Sequence, residues 1–299
     1  MARMLMMTIA QTFASPQRLI ALTLCLLSIS ASVAAADAPR YGIAMHGAPQ
    51  LERGDPLPYT NPDAPQGGRI TLGAHGTFNS LNPLIPRGTA APGLRDLLYG
   101  NLVYESLLDR NRDEPFALYG FLAREVIVPD DRSAVTFVID EKAAFSDGEP
   151  VTAEDVVFSY DFHRKSGWPF ARAYYSKVER VETPDERTVT FHFPDANDRE
   201  LPLIMGLMPI LPAHDTDPDT FGETTYDPPV GTGPYTVGAM APGRSITLVR
   251  DPDYWGNDHP LNQGRYNAQE VRFLFYRDMT AMFEALKIGE IDAYMEARR

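Results

Sequence analysis

The stretch VRFLFYRDMTAMFEALKIGEIDAYM, residues 271–295, decides the fold class, because its side-chain pattern changes twice within a short span. Residues 271–277 are rich in aromatic and aliphatic side chains, as a buried strand requires. Residues 280–287 carry the longer spacing of a helix, and residues 290–295 return to a strand. Strand, helix and strand in close succession read as a parallel βαβ unit, the building block of an α/β fold. A new sheet is therefore expected to start here. Such a unit alone leaves a sheet face uncovered, and residues 296–299 leave its last strand without neighbours, so the chain reads as a fragment or as lacking a domain.

Upstream, residues 235–238 and 245–250 read as a strand pair. Residues 178–182 and 188–193 flank the turn Pro184-Asp185-Glu186, and Val189, Phe191 and Phe193 alternate with Thr188, Thr190 and His192. That alternation predicts a hairpin with one buried face. Thr152 is placed to cap a helix running to about residue 165, with Glu154 and Asp155 in its first turn, where their charge suits the helix dipole. Residues 134–139 and 69–73 read as strands. Leu94, Leu97, Leu98, Leu102 and the run 104–108 recur at helical spacing, which predicts a helix over 94–108. Residues 37–68, rich in Pro, Gly, Asp and Asn, read as an irregular arm.

Residues 1–36 are of another kind. Arg3 and Arg18 are their only charges, residues 19–33 are apolar or small, and Ala34-Ala35-Ala36 forms a small-residue cleavage pattern, so the segment reads as a cleavable export signal. Cys25, the only cysteine, lies inside it behind Leu24, where a lipid anchor would need a small residue. An exported chain with no further cysteine suits the Gram-negative periplasm better than the disulfide-rich extracellular class. Across the whole chain, 40 acidic against 27 basic residues give a net charge of -13, which opposes nucleic-acid binding.

Reactive constellations are absent from the sequence. It has no G-x-S-x-G elbow, no phosphate-binding G-x-x-x-x-G-K loop and no H-E-x-x-H. The histidines at 46, 75, 163, 192, 214 and 259 form no pair at helical metal-ligand spacing. Asp215-Thr216-Asp217-Pro218-Asp219 approaches a calcium loop, but Thr220 and Tyr226 stand where the turn glycine and the bidentate Glu belong, so it reads as a solvated acidic loop. Trp168, Tyr174 and Tyr175 either line a pocket or fill core, and composition does not decide between these. No enzyme activity, metal or cofactor is expected.

Six segments carry a resemblance: Phe78-Asn79-Ser80-Leu81-Asn82-Pro83-Leu84, Tyr104-Glu105-Ser106-Leu107-Leu108, the string from Phe145 to Ser159, Pro229-Val230-Gly231-Thr232-Gly233-Pro234-Tyr235, Arg250-Asp251-Pro252-Asp253-Tyr254-Trp255-Gly256, and Gly289-Glu290-Ile291-Asp292-Ala293. Together they resemble the family 5 extracytoplasmic solute-binding proteins of peptide-type ABC importers. Residues 61–68 and 197–203 are similar to its YejA-like branch, associated with oligopeptides, microcin C and peptidoglycan-derived peptides. Locally, Asp147-Gly148 makes a tight turn, and Gly231-Thr232-Gly233 lets backbone pass close to something or simply turns.

The resemblance implies a class II periplasmic binding protein fold of two hinged lobes. It implies lobe I over 69–270, lacking its C-terminal return segment, and a truncated first βαβ unit of lobe II over 271–299. It implies a periplasmic importer component that binds an oligopeptide or peptide conjugate, works with ABC permease subunits and their ATPases, and is a monomer. The alternatives are a periplasmic sensory or chaperone-like peptide binder, a non-functional fragment, or a hydrolase. By position along the family pattern, Arg87, Gly88 and Thr89 face the ligand, with Tyr174, Asn79 and Thr232 as further candidates. The residue that takes the peptide's amino terminus falls outside this sequence, and weak peptide binding by this chain alone is expected.

Overall fold

The computed structural model describes residues 38–95, 100–196 and 198–295. The leader expected over residues 1–36, with Cys25, lies outside them, as do Leu97, Leu98, Asn197 and residues 296–299. All elements below belong to the unit Pro39–Arg299.

The arm is irregular apart from β1 (Gly42–Ala44), and β2 (Arg69–His75) follows it. A hairpin of β3 (Leu108–Arg110) and β4 (Ala117–Gly120) recruits β1 into an antiparallel sheet of order β1-β4-β3. Four strands, β5 (Ala123–Ile127), β6 (Ala134–Ile139), β7 (Arg180–Asp185) and β8 (Thr188–His192), form a second antiparallel sheet of order β5-β6-β8-β7. The expected hairpin is therefore present as β7 and β8, and its inward residues Val189 and Phe191 are fully buried.

Between β6 and β7 run α1 (Ala153–Ser166) and α2 (Pro169–Tyr175). The start of α1 is fixed by Asp155 in its first turn, whose Oδ2 accepts from both the Thr152 N–H and the Thr152 hydroxyl at 2.8 Å. Its Oδ1 accepts from the Ala213 N–H at 2.9 Å, so one carboxylate caps the helix and moors a distant loop. Val156 and Tyr160 press onto the second sheet, with Tyr160 edge-on to Phe191 at 5.4 Å. A short α3 (Leu201–Gly206) closes the same core with Met205.

The third sheet holds residues 271–295. It comprises β9 (Tyr235–Ala241), β10 (Ser245–Arg250), β11 (Glu270–Tyr276) and, after α4 (Met279–Lys287), β12 (Ala293–Tyr294). The helix and both strands of the βαβ unit are thus present. The expectation of a new sheet is corrected: the order is β12-β2-β11-β10-β9, and β2 lies between β11 and β12, parallel to each. Gly73 of β2 makes this possible. A Cβ there would come within 2.6 Å of Ile291 Cδ1 and 2.9 Å of Met282 Cγ, so its bare backbone lets the α4 side of the unit settle on β2. Asp292 locks the junction, giving its N–H to the Thr71 carbonyl and accepting the Thr71 N–H, both at 2.7 Å.

The helix expected over 94–108 is also corrected where it can be followed. Residues 100–107 are not helical, and the backbone of 102–105 is used by other segments. Leu102 and Val103 carbonyls accept from Tyr235 and Gly233 N–H groups at 3.0 and 2.8 Å, and the Glu105 carbonyl accepts from Ile210 N–H at 3.2 Å. Residues 102–108 are buried throughout, Glu105 and Ser106 included, so the leucines at helical spacing need no helix to reach the core. Among the described residues, no helix is long and apolar enough to cross a membrane.

Candidate ligand-facing loops and a buried carboxylate

Residues 79–91 fold back on themselves. The Asn79 N–H donates to the Thr89 carbonyl at 2.9 Å, and its side-chain Oδ1 accepts the Thr89 N–H at 2.6 Å. Ser80 and Ala90 continue the pairing as an isolated bridge. Gly88 turns the chain at φ +77°, where a side chain would be strained and its Cβ would meet Thr224 Cγ2 at 2.6 Å and Asn79 Oδ1 at 2.8 Å. The pinned base leaves Arg87, Gly88 and Thr89 exposed at the tip. No ion pair holds the Arg87 guanidinium among the described residues. Asn79 and the 87–89 tripeptide are thus brought together, as one unit.

Thr232 lies elsewhere, 1% exposed, with its hydroxyl accepting the Glu105 N–H at 3.2 Å. The close approach that Gly231 and Gly233 permit is to the chain's own backbone. A Cβ on Gly231 would sit 2.2 Å from the Val103 carbonyl oxygen, and one on Gly233 would sit 2.4 Å from that of Leu102. Tyr174, on α2, is separate again: its hydroxyl donates to Glu200 Oε2 at 3.2 Å, and Lys177 Nζ lies 4.7 Å from its ring centre.

The residue-by-residue reading did not single out Glu105. Its carboxylate is 2% exposed and accepts from the Tyr254 hydroxyl at 2.5 Å and from Trp255 Nε1 at 3.1 Å. Burial pushes its carboxyl up to about 8, although both hydrogen bonds pull the other way. Asn262 Nδ2 steadies the Tyr254 oxygen at 3.0 Å. Next to it a cavity of about 300 Å³ is bordered by Tyr59, Asn101, Asp109 and the Arg265 that pairs with Asp109 at 2.8 Å. The signal was present in that Tyr104-Glu105 and Tyr254-Trp255 both lie in resemblance segments; their meeting was not legible. Among the described residues, no group of three or more His, Cys, Asp or Glu could hold a metal ion. What the loops offer is exposed main chain, one cation and one hydroxyl, which suits binding a polar backbone.

Residues 117–298 match the family model for bacterial extracellular solute-binding proteins, family 5 Middle. The chain is similar to the "Peptidoglycan-binding protein YepA" of Agrobacterium fabrum, 44% identical over 262 residues that cover 86% of this chain and 43% of that protein. It is also similar to the "Probable peptide-binding protein YejA" of the same organism, 39% identical over 280 residues, with 91% and 44% covered. Among solved structures, the oligopeptide-binding protein AppA from Bacillus subtilis, in complex with a nonapeptide, matches with a TM-score of 0.61 and 24% identity, over 76% of this chain and 44% of that one. The chain therefore spans under half the length of these relatives. The α/β, class II periplasmic-binding-protein expectation is borne out, and the chain belongs to the bacterial extracellular solute-binding proteins of family 5.

Proposed function

We propose that this chain is part of the periplasmic binding component of an ABC importer for oligopeptides or peptide-containing compounds, and that it binds its ligand without chemical change. The exposed tip at Arg87, Gly88 and Thr89, braced from below by Asn79, is the observation that carries this reading. An extended peptide satisfies such a tip through its own N–H and C=O groups, leaving side chains free to vary. Tyr174 is a second contact, and Thr232 acts from beneath through the Glu105 backbone. The family, and the names of the YepA and YejA relatives, support peptide as the ligand class. The sheet that joins β2 to β11 and β12 supports placing residues 69–295 in one lobe. Closure of a second lobe over the ligand, handing it to permease subunits and their ATPases, completes the proposal.

The test is a nuclear magnetic resonance titration of the chain with tripeptides and tetrapeptides, with the peptide mass checked afterwards. Saturable shifts at residues 87–89, weakened by Gly88→Ala, and an intact peptide are expected. Absence of any shift at millimolar peptide, or a cleaved peptide, overturns the reading.

A further inference from the structure

Two arginines from distant parts of the chain meet over the end of β1. Arg132 Nη2 donates to the Ala44 carbonyl at 2.8 Å, and its Nη1 donates to the Arg199 carbonyl at 3.1 Å. Arg199 Nη1 donates to the next carbonyl along, that of Met45, at 3.3 Å, and lies 3.5 Å from His46 Nδ1. Both guanidinium groups are therefore pinned by carbonyl oxygens, and among the described residues neither has a carboxylate partner. In a chain of net charge -13, two cations held together without an anion stand out.

The acids next to them in sequence are engaged elsewhere. Asp131 Oδ1 accepts the Ser133 N–H at 2.9 Å. Asp198 accepts the Glu200 and Leu201 N–H groups at 2.9 and 3.1 Å and pairs with Lys177, and Glu200 accepts the Tyr174 hydroxyl at 3.2 Å. Arg132 itself closes the turn between β5 and β6, donating its N–H to the Pro129 carbonyl at 2.9 Å, with a φ of +55° that is uncommon for a residue with a side chain. Burial first, and then the positive charges of Arg199 and Arg40, hold its guanidinium below the usual range.

A guanidinium carries its N–H donors in a planar fork, and part of each fork is unused here. Arg132 Nε and Arg199 Nε and Nη2 donate to nothing among the described residues. We propose that this junction is an oxyanion site, which takes a tetrahedral group of the phosphate kind with two negative charges. One fork satisfies a carboxylate, whereas a tetrahedral dianion presents oxygens to two forks at once and offsets both charges. Bound there, it bridges the arm, the turn before β6 and the entry to α3. The site shares no residue with Asn79 or the 87–89 tip, so it goes beyond the proposed function.

The experiment is isothermal titration calorimetry of the chain at low salt with inorganic phosphate, glycerol 3-phosphate and acetate, together with nitrogen-15 spectra of the arginine side chains. Phosphate binds about tenfold tighter than acetate, shifts the Nε–H signals of Arg132 and Arg199, and loses its hold as sodium chloride is added. Glycerol 3-phosphate binding as well as phosphate identifies a site open to a phosphoryl group on a larger molecule, and its exclusion identifies one for the free ion. Arg199→Gln, at an exposed position, melts like the parent and weakens phosphate about tenfold, and Arg199→Lys, which keeps the charge but not the fork, falls between. Arg244→Gln, which removes an exposed arginine elsewhere, leaves binding unchanged. Phosphate no tighter than acetate, or binding untouched in Arg199→Gln, overturns the inference and leaves the peptide-binding proposal standing.

Discussion

The Tyr254 hydroxyl donates to Glu105 Oε1 at 2.5 Å across 149 residues of sequence, and both side chains are buried. The unfolded chain releases the Glu105 proton near 4.5, whereas the folded protein holds it to about 8. Between these values the folded state binds more protons, so this group makes stability fall as pH rises. Glu105→Gln, uncharged throughout, removes that slope. Its melting temperature should gain on the parent from pH 5 to pH 8, by the equivalent of about 1.4 kcal/mol per pH unit at most. Scanning calorimetry across this range checks it, and a constant offset between the two proteins contradicts it.

Two buried histidines act on the acid side. Burial pushes His163 and His259 from 6.5 down to about 4. His163 Nε2 lies 3.2 Å from the Pro209 carbonyl, and the His259 ring packs on Phe121 at 5.0 Å. Both are neutral when folded, so as pH falls from 6.5 towards 4 the unfolded chain takes up protons first and stability is lost. Urea unfolding at pH 4.5, 5.5 and 6.5 should show a flatter acid limb for His163→Gln, even though that variant is weaker at neutral pH. An acid limb as steep as the parent's would show that His163 is charged in the fold.

The local parts of this fold were legible because their signals are local. Thr152 and Asp155 sit three residues apart and cap α1, and the alternation of Val189 and Phe191 marks one face of β8. What was not legible depends on pairs far apart in sequence. Nothing near residue 271 announces that β2 will slip between β11 and β12, and nothing near residue 105 announces Tyr254. In the candidate site the same division holds: the Asn79–Thr89 clasp spans ten residues and joins two expected positions. The burial of Thr232 depends on residues 102–105, whose non-helical backbone the leucine spacing disguised as helix.

The close passage of residues 231–233 over 102–103 makes a sharp steric prediction. The atoms that a Cβ at Gly231 or Gly233 would strike are backbone carbonyl oxygens, which cannot rotate away. Gly231→Ala should destabilise the protein by about 1–3 kcal/mol, the usual range for overpacking. Gly222, where an added Cβ meets nothing within 4 Å, is the control and should change little. Equal urea midpoints for the two variants would mean that residues 231–233 do not pass as closely over 102–103 as described.

The position of β2 can be tested by compensation. At Gly73 an added Cβ meets the Ile291 Cδ1 atom at 2.6 Å, the far end of a side chain rather than backbone. Gly73→Ala alone should cost about 1–3 kcal/mol by overpacking, and Ile291→Val, which removes that Cδ1, about 0.5–1.5 kcal/mol by leaving space. Combined, the new methyl fills the space the old one left, so the double variant should recover at least about 0.5 kcal/mol of the summed losses. Chemical denaturation of the parent, both single variants and the double closes the cycle. Strict additivity would mean that the two residues do not touch, and that β12 reaches the sheet at some place other than beside β2.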